Sequence, residues 1–493
     1  MNSVVAGSAY YPEKRALALP IGQLILLFLL LGVSGPLILI TIAQGAYPAV
    51  LLVGVVSVGG LLLCRKMQLR LGDPSLKVLG YFWLIKLAAT LFLLYAGWIP
   101  QLDPASSSAW GYDPQRYYVQ AQELIENNWL PDFVSLNYVG ILYYYGAIFY
   151  VLGHNPVVPA LVNAFVTLVA TLYLVEVGYE IKSRREPHDW TLALALLLPE
   201  MLWFDVMTSR ETLLAALLVV ATLTAGRYLA RTAPSSLSKV LFTSGLSVLV
   251  IAAVRTSMLL PVFAAIALMT VLVTPQQSSR VAQRAILAAA AVAVLIFGPL
   301  IAPYLGGYEF DVERTIEVAI SARENALISD VNWSENSIGA LLLPEGLIQS
   351  ILFLPPRMVL YLLAPLPNIA VPLSELVAGS WDAWQRLFAL MSSVINVLAV
   401  PYALASLVQS IKNRRVNGAP LVLHVSYWIV LMAVAGGNLI IHERYRVMAT
   451  PFLWGCAWLG ARTCSRAEIL RASLPWYSLL GLGALFYLAY KGL

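Results

Sequence analysis

Apolar runs of about 17 to 25 residues recur along the whole chain, separated by short polar or basic breaks. A helix of that length crosses the roughly 30 Å hydrocarbon core of a bilayer. Lipid offers no hydrogen bonds, so a crossing backbone must be helical or part of a closed barrel. The pattern predicts an all-α integral membrane protein with about 13 transmembrane helices. They are expected near 19 to 41, 47 to 64, 76 to 98, 156 to 178, 190 to 207, 211 to 230, 237 to 253, 255 to 274, 285 to 303, 386 to 408, 421 to 440, 447 to 462 and 474 to 490.

Basic clusters fix the orientation, because Lys and Arg mark cytoplasmic loops. Lys14 and Arg15, Arg65 to Arg70, Lys182 to Arg185, Arg227 to Lys239, Arg280 and Arg284, Lys412 to Arg415, and Arg462 to Arg471 all fall inside with this threading. The N-terminus is then cytoplasmic and the C-terminus outside. Two further stretches, 138 to 153 and 346 to 366, are expected not to cross fully, since a crossing there would expel the next basic cluster. Residues 1 to 493 read as one polytopic domain, with outer segments at 99 to 137 and 304 to 345.

Composition adds little to this. The chain is 60% hydrophobic and 12% charged, with a net charge of +5, against roughly 25% charged in soluble domains. Its basic residues follow the membrane rather than forming a nucleic-acid footprint, so no nucleic-acid partner is expected. Three cysteines, Cys64, Cys456 and Cys464, lack metal-ligand spacing. No cofactor is fixed by the sequence; a divalent metal is left open, with no ligand set to support one.

Polar residues on the expected outer face carry the chemistry. Asp113-Pro114 opens a helix reaching about Asn128, with Tyr117, Ala121, Leu124 and Ile125 on one face and Arg116, Gln120, Glu123 and Asn127 on the other. That spacing describes an amphipathic helix on the membrane surface. Asp113 serves equally as its N-cap or as a general base for an acceptor hydroxyl. Arg210 reads as a partner of Asp205 or of a lipid phosphate, and Glu211 as the end of a capping box begun by Thr208. Arg255 breaks the positive-inside pattern. His442-Glu443-Arg444-Tyr445-Arg446 is the densest constellation, either a snorkelling belt or an anion site. Tyr138, Tyr143, Tyr144, Tyr145 and Tyr150 form an interfacial belt or a stacking surface.

The Asp-x-x-Arg-Tyr run at Asp113, Arg116 and Tyr117, with the later Arg-Tyr pair before Pro451, resembles the GT-C membrane glycosyltransferases. The likeness is to the protein-mannosyltransferase and aminoarabinose-transferase branch. In this chain Pro114 stands where that family has a second acidic residue, and Asn137 to Gly140 where it has a Lys-Pro-Pro-like stretch. The resemblance implies Asp113 as catalytic base and donor-phosphate contacts from Arg444 and Arg446, to which Arg210 and Arg255 add candidate phosphate ligands. Arg116, Tyr117, His442, Glu443 and Tyr445 would support them. The implied partners are a polyprenyl-phosphate-linked sugar, a glycan or glycolipid acceptor and the bilayer, in a bacterial inner membrane with the active site outside. Two other functions fit the pattern: a polymerase or ligase using a lipid-diphosphate oligosaccharide, and a secondary transporter built around the mid-span charges Lys86, Glu176 and Glu200.

Overall fold

The computed structural model describes residues 35, 47–95, 113–130, 139–179, 194–230, 236–272, 342, 347–364, 373–378, 380–412, 418–437 and 443–491. Every element among them is helical. In order they are α1 (Tyr47–Leu71), α2 (Lys77–Tyr95), α3 (Asp113–Glu126), α4 (Val139–Leu152), α5 (Val157–Tyr179), α6 (Pro199–Val206), α7 (Glu211–Ala230) and α8 (Leu237–Val254). There follow α9 (Leu259–Leu272), α10 (Leu347–Leu363), α11 (Leu373–Val377), α12 (Trp381–Lys412), α13 (Ala419–Gly437), α14 (Glu443–Arg446), α15 (Thr450–Thr463) and α16 (Arg466–Lys491).

Eight helical stretches among the described residues are long and apolar enough to cross a membrane. Together with the composition, they make this an α-helical membrane protein. The expected span 19 to 41 apart from Gly35, the span 285 to 303, and the outer segment 304 to 345 apart from Leu342 lie outside the described residues.

Burial separates the centre of the bundle from its rim. Within its most apolar window α7 is 83% buried, whereas α16 is 11% buried. Leu474, Leu482 and Phe486 of α16 and Phe242 and Leu249 of α8 are exposed large hydrophobics, which suits lipid rather than water.

The segment expected to cross at 190 to 207 is not one helix. A 3-10 turn at Leu194–Leu197 is followed by the eight-residue α6, with Pro199 at its first turn. Proline lacks the amide that a continuous helix needs and starts a new one readily. Backbone groups freed at the break find side chains: Lys86 Nζ donates to the Leu196 carbonyl at 3.0 Å, and Ser392 Oγ accepts from the Glu200 amide at 2.8 Å. The expected spans 255 to 274 and 447 to 462 are likewise shorter helices, α9 and α15, of 14 residues each.

Three charges of the helices are matched inside the protein. Lys86 pairs with Asp205, which also accepts from Thr167 Oγ1 at 2.8 Å. Glu200 pairs with Arg446 at 2.7 Å. Glu176 takes both Arg70 and Arg227, each at 2.9 Å. Asp205 is therefore the partner of Lys86, not of Arg210 as one reading of the sequence had it.

Glu176 also marks one end of the bundle. Beside it Tyr179 donates to Asp73 at 2.5 Å, and Arg462 lies over the rings of Tyr179 and Trp458 at 4.6 and 4.7 Å. Burial acts against the Asp73 carboxylate, but hydrogen bonds from Tyr179 and Ser75 and the charge of Arg462 hold it below its usual range. Basic residues from three separate sequence clusters thus meet at one end.

Close helix approach depends on glycine where backbone meets backbone. A methyl added at Gly460 of α15 would overlap the Tyr402 carbonyl of α12, and a main-chain atom cannot rotate away. Gly460→Ala is expected to destabilise the fold by about 1 to 3 kcal/mol. The check is a lowered unfolding midpoint in detergent. An unchanged midpoint would show that α12 and α15 can separate freely.

Candidate functional site

The site is built at the end of the bundle away from Glu176, where α7 begins. α6 stops at Val206, the chain turns through Met207 to Arg210, and α7 starts at Glu211. Arg210 and Glu211 are each 3% exposed. Glu211 Oε1 lies 4.0 Å from Arg210 Nε and 3.5 Å from Arg444 Nε. Arg444 donates from Nη2 to the Tyr445 hydroxyl at 3.2 Å, and its guanidinium sits 4.9 Å from the Tyr445 ring centroid. Arg255, at the joint between α8 and the 3-10 turn Thr256–Met258, lies 5.0 Å from the same ring and donates to Ser257 Oγ at 3.2 Å.

Three guanidiniums that are far apart in sequence therefore converge around one carboxylate and one ring. Cation–π contact partly offsets the cost of burying Arg255 and Arg444. The positive end of the α7 dipole adds to the field at the same place.

Thr208 is not the cap of α7. Its hydroxyl donates instead to the Pro114 carbonyl in the first turn of α3, and α7 begins three residues later, at Glu211. The expected capping box is replaced by a contact that brings the start of α3, at Asp113, to the turn carrying Arg210. The Asp113 side chain lies outside the described residues, as do His442 and the Glu443 side chain.

α3 has the expected amphipathic pattern, but its apolar face covers protein. Tyr117, Ala121 and Leu124 join the main core with Ile141, Leu142 and Tyr145 of α4. Tyr117 is thus a packing residue. Arg116 donates to Gln120 on its own helix at 3.3 Å. The helix ends with Asn128 and Trp129 at φ 54° and 66°, and the Trp129 amide reaches back to the Leu124 carbonyl at 2.8 Å. This is a left-handed helix stop with asparagine in the role more often taken by glycine.

The tyrosine cluster divides by helical period. Tyr145 is fully buried, while Tyr143 and Tyr150, seven residues apart, flank Trp129 with ring centroids at 6.2 and 5.7 Å. Tyr138 lies outside the described residues. Between α4 and α5, His154 stacks on Tyr118 with centroids 4.2 Å apart, and burial holds its imidazole below its usual pKa.

Arg446, expected as a phosphate ligand, is occupied otherwise. It is 1% exposed. It donates to Glu200 Oε2 from Nε and Nη2 at 3.0 and 2.7 Å. Nη1 reaches the carbonyls of Leu362 and Ala364 at 3.0 and 2.6 Å and Ser393 Oγ at 2.8 Å. Those carbonyls end α10, so Arg446 works as a cationic cap of that helix.

Two residues not singled out in the sequence extend the cluster. Tyr361 lies within electrostatic reach of Arg255, Tyr445 and Arg357. Arg357 donates to the carbonyls of Ala435 and Leu342 at 2.7 and 3.1 Å. A lone arginine inside the apolar stretch 346 to 366 was the available signal, since charge in such a run is costly and usually has a partner. Among the described residues no group of three His, Cys, Asp or Glu gathers to hold a metal ion.

Comparison of the chain with models of protein families, with curated proteins and with solved structures finds no match.

Proposed function

We propose that this membrane protein moves a sugar from a polyprenyl-phosphate donor to a hydroxyl of a glycan or glycolipid at the outer face, inverting the anomeric carbon with Asp113 as base. One observation carries the reading: Arg210, Arg255 and Arg444 converge at the end of the bundle where α3 begins at Asp113. In this reading the end bearing Glu176 and its arginines is cytoplasmic, by the positive-inside rule.

The chemistry asked of the site is simple. Asp113 takes the acceptor proton as the oxygen attacks the anomeric carbon from the face opposite the phosphate. The breaking C–O bond leaves its electrons on the polyprenyl phosphate, whose charge rises from one to two negative. Guanidiniums aimed at that phosphate interact more strongly with the transition state than with the donor, and this difference accelerates the step. A lipid-borne donor also accounts for a cationic cluster at the end of a membrane bundle. The mid-span charges, by contrast, have fixed partners inside the protein, which favours a structural role for them over a transport path.

The test is donor consumption by purified protein in vesicles, with labelled polyprenyl-monophosphate sugar and an envelope extract as acceptor. Arg255→Gln and Arg444→Gln are each expected to lower kcat/KM about 10- to 100-fold, the effect of losing one charge-assisted contact. Consumption of diphosphate-linked oligosaccharide alone would replace this reading with a polymerase or ligase.

A further inference from the structure

The turn between α6 and α7 and the helix end leading into it are held by side chains from three other elements and by a contact to the backbone of a fourth, more than chain reversal requires. Tyr145 of α4 donates to the Ser209 carbonyl at 2.6 Å. Asn163 of α5 donates to the carbonyls of Met207 and Asp205 at 2.8 and 3.3 Å, and to the Tyr145 hydroxyl at 3.1 Å. Lys86 of α2 holds Asp205, and Thr208 reaches Pro114 of α3. Tyr145 and Asn163 are both fully buried.

The last carbonyls of a helix have no partner within it. Here α6 ends in the protein interior, so those carbonyls need donors. Asn163 supplies one at Asp205 and at the cap residue Met207, Tyr145 does the same for the turn carbonyl of Ser209, and the geometry has a further consequence. Arg210 follows the clamped carbonyl of Ser209 directly, and the same turn grips the first turn of α3. Two rigid supports therefore fix Arg210 relative to the backbone at Asp113.

We infer that Tyr145 and Asn163 are positioning residues, setting the guanidinium of Arg210 in register with the start of α3. This rests on the proposed transfer reaction for its catalytic consequence, but the registration itself is a property of the fold. A displacement of about 1 Å at such a site is enough to cost a hundredfold in rate. Tyr145→Phe keeps the ring and removes only the hydroxyl, so folding is expected to survive. Asn163→Leu provides the same loss of donors at similar volume.

The experiment combines hydrogen exchange with kinetics, using the full chain in nanodiscs. Tyr145→Phe is expected to speed amide exchange across residues 207 to 210 about tenfold, as a local opening. It should lower kcat about tenfold with donor KM within about twofold, since the misplaced group acts mainly on the transition state. Tyr427→Phe, at a buried tyrosine of α13, should change neither. Unaltered exchange at 207 to 210 in both Tyr145→Phe and Asn163→Leu would overturn the inference. So would faster exchange with wild-type kcat and KM, because the clamp would then be structural only. Should the wild type transfer no sugar, the reaction reading fails, and farnesyl phosphate affinity decides the positioning: about tenfold weaker binding by Tyr145→Phe supports it, and wild-type affinity, or no binding by the wild type, sinks it.

Discussion

Asp113→Asn is expected to lower sugar transfer by about 10²- to 10⁴-fold, the usual contribution of a positioned general base. Asparagine caps a helix nearly as well as aspartate, so the start of α3 should be undisturbed. The substitution therefore separates the two readings of this residue. Loss of transfer with an unchanged unfolding midpoint marks a base. Equal transfer by both proteins would leave Asp113 as a cap alone and remove the proposed mechanism. Donor affinity should also be kept, because the proposed phosphate ligands lie on other elements.

Arg446→Met is expected to cost about 3 to 5 kcal/mol of stability, the range for breaking a buried ion pair from one side. Methionine leaves Glu200 charged in the interior and strips the end of α10 of its cation. The double variant Arg446→Met with Glu200→Gln should recover the part of the loss due to the stranded charge. It should not recover the part due to the uncapped carbonyls of Leu362 and Ala364. Thermal unfolding of the two variants measures both parts. If Arg446→Met unfolds like the wild type yet loses donor binding, the guanidinium serves the ligand, as the sequence resemblance implied, and the structural assignment is wrong.

These predictions differ in how far the sequence alone could reach. Asp113 stood out because Asp-Pro before an amphipathic run is a helix start, and a carboxylate there has chemistry to offer. Arg446 stood out in the same way, as an arginine expected at the outer face beside a tyrosine. Its actual partner, Glu200, lies 246 residues away in the chain, and no local pattern joins them. Arg210 shows the same limit in reverse. Its nearby candidate partner Asp205 is spent on Lys86, 119 residues earlier, while Arg444 reaches it through Glu211.

Hydrophobic periodicity determined the class of protein, the approximate extent of the eight described helices long and apolar enough to cross a membrane and the amphipathic α3, because these depend on composition within a short window and on the bilayer's thickness. It did not determine the break at Pro199, whose backbone is satisfied by Lys86 and Ser392 from distant helices. Nor did it tell which of the charges expected outside pair with each other. Ion pairing in a membrane bundle is chosen by which helix faces meet, and helix packing is set by long-range contacts such as Gly460 against Tyr402. The sequence could bring charged residues to one end; only the tertiary structure divided them, committing Arg446 to the core and gathering Arg210, Arg255 and Arg444 around Glu211 and Tyr445.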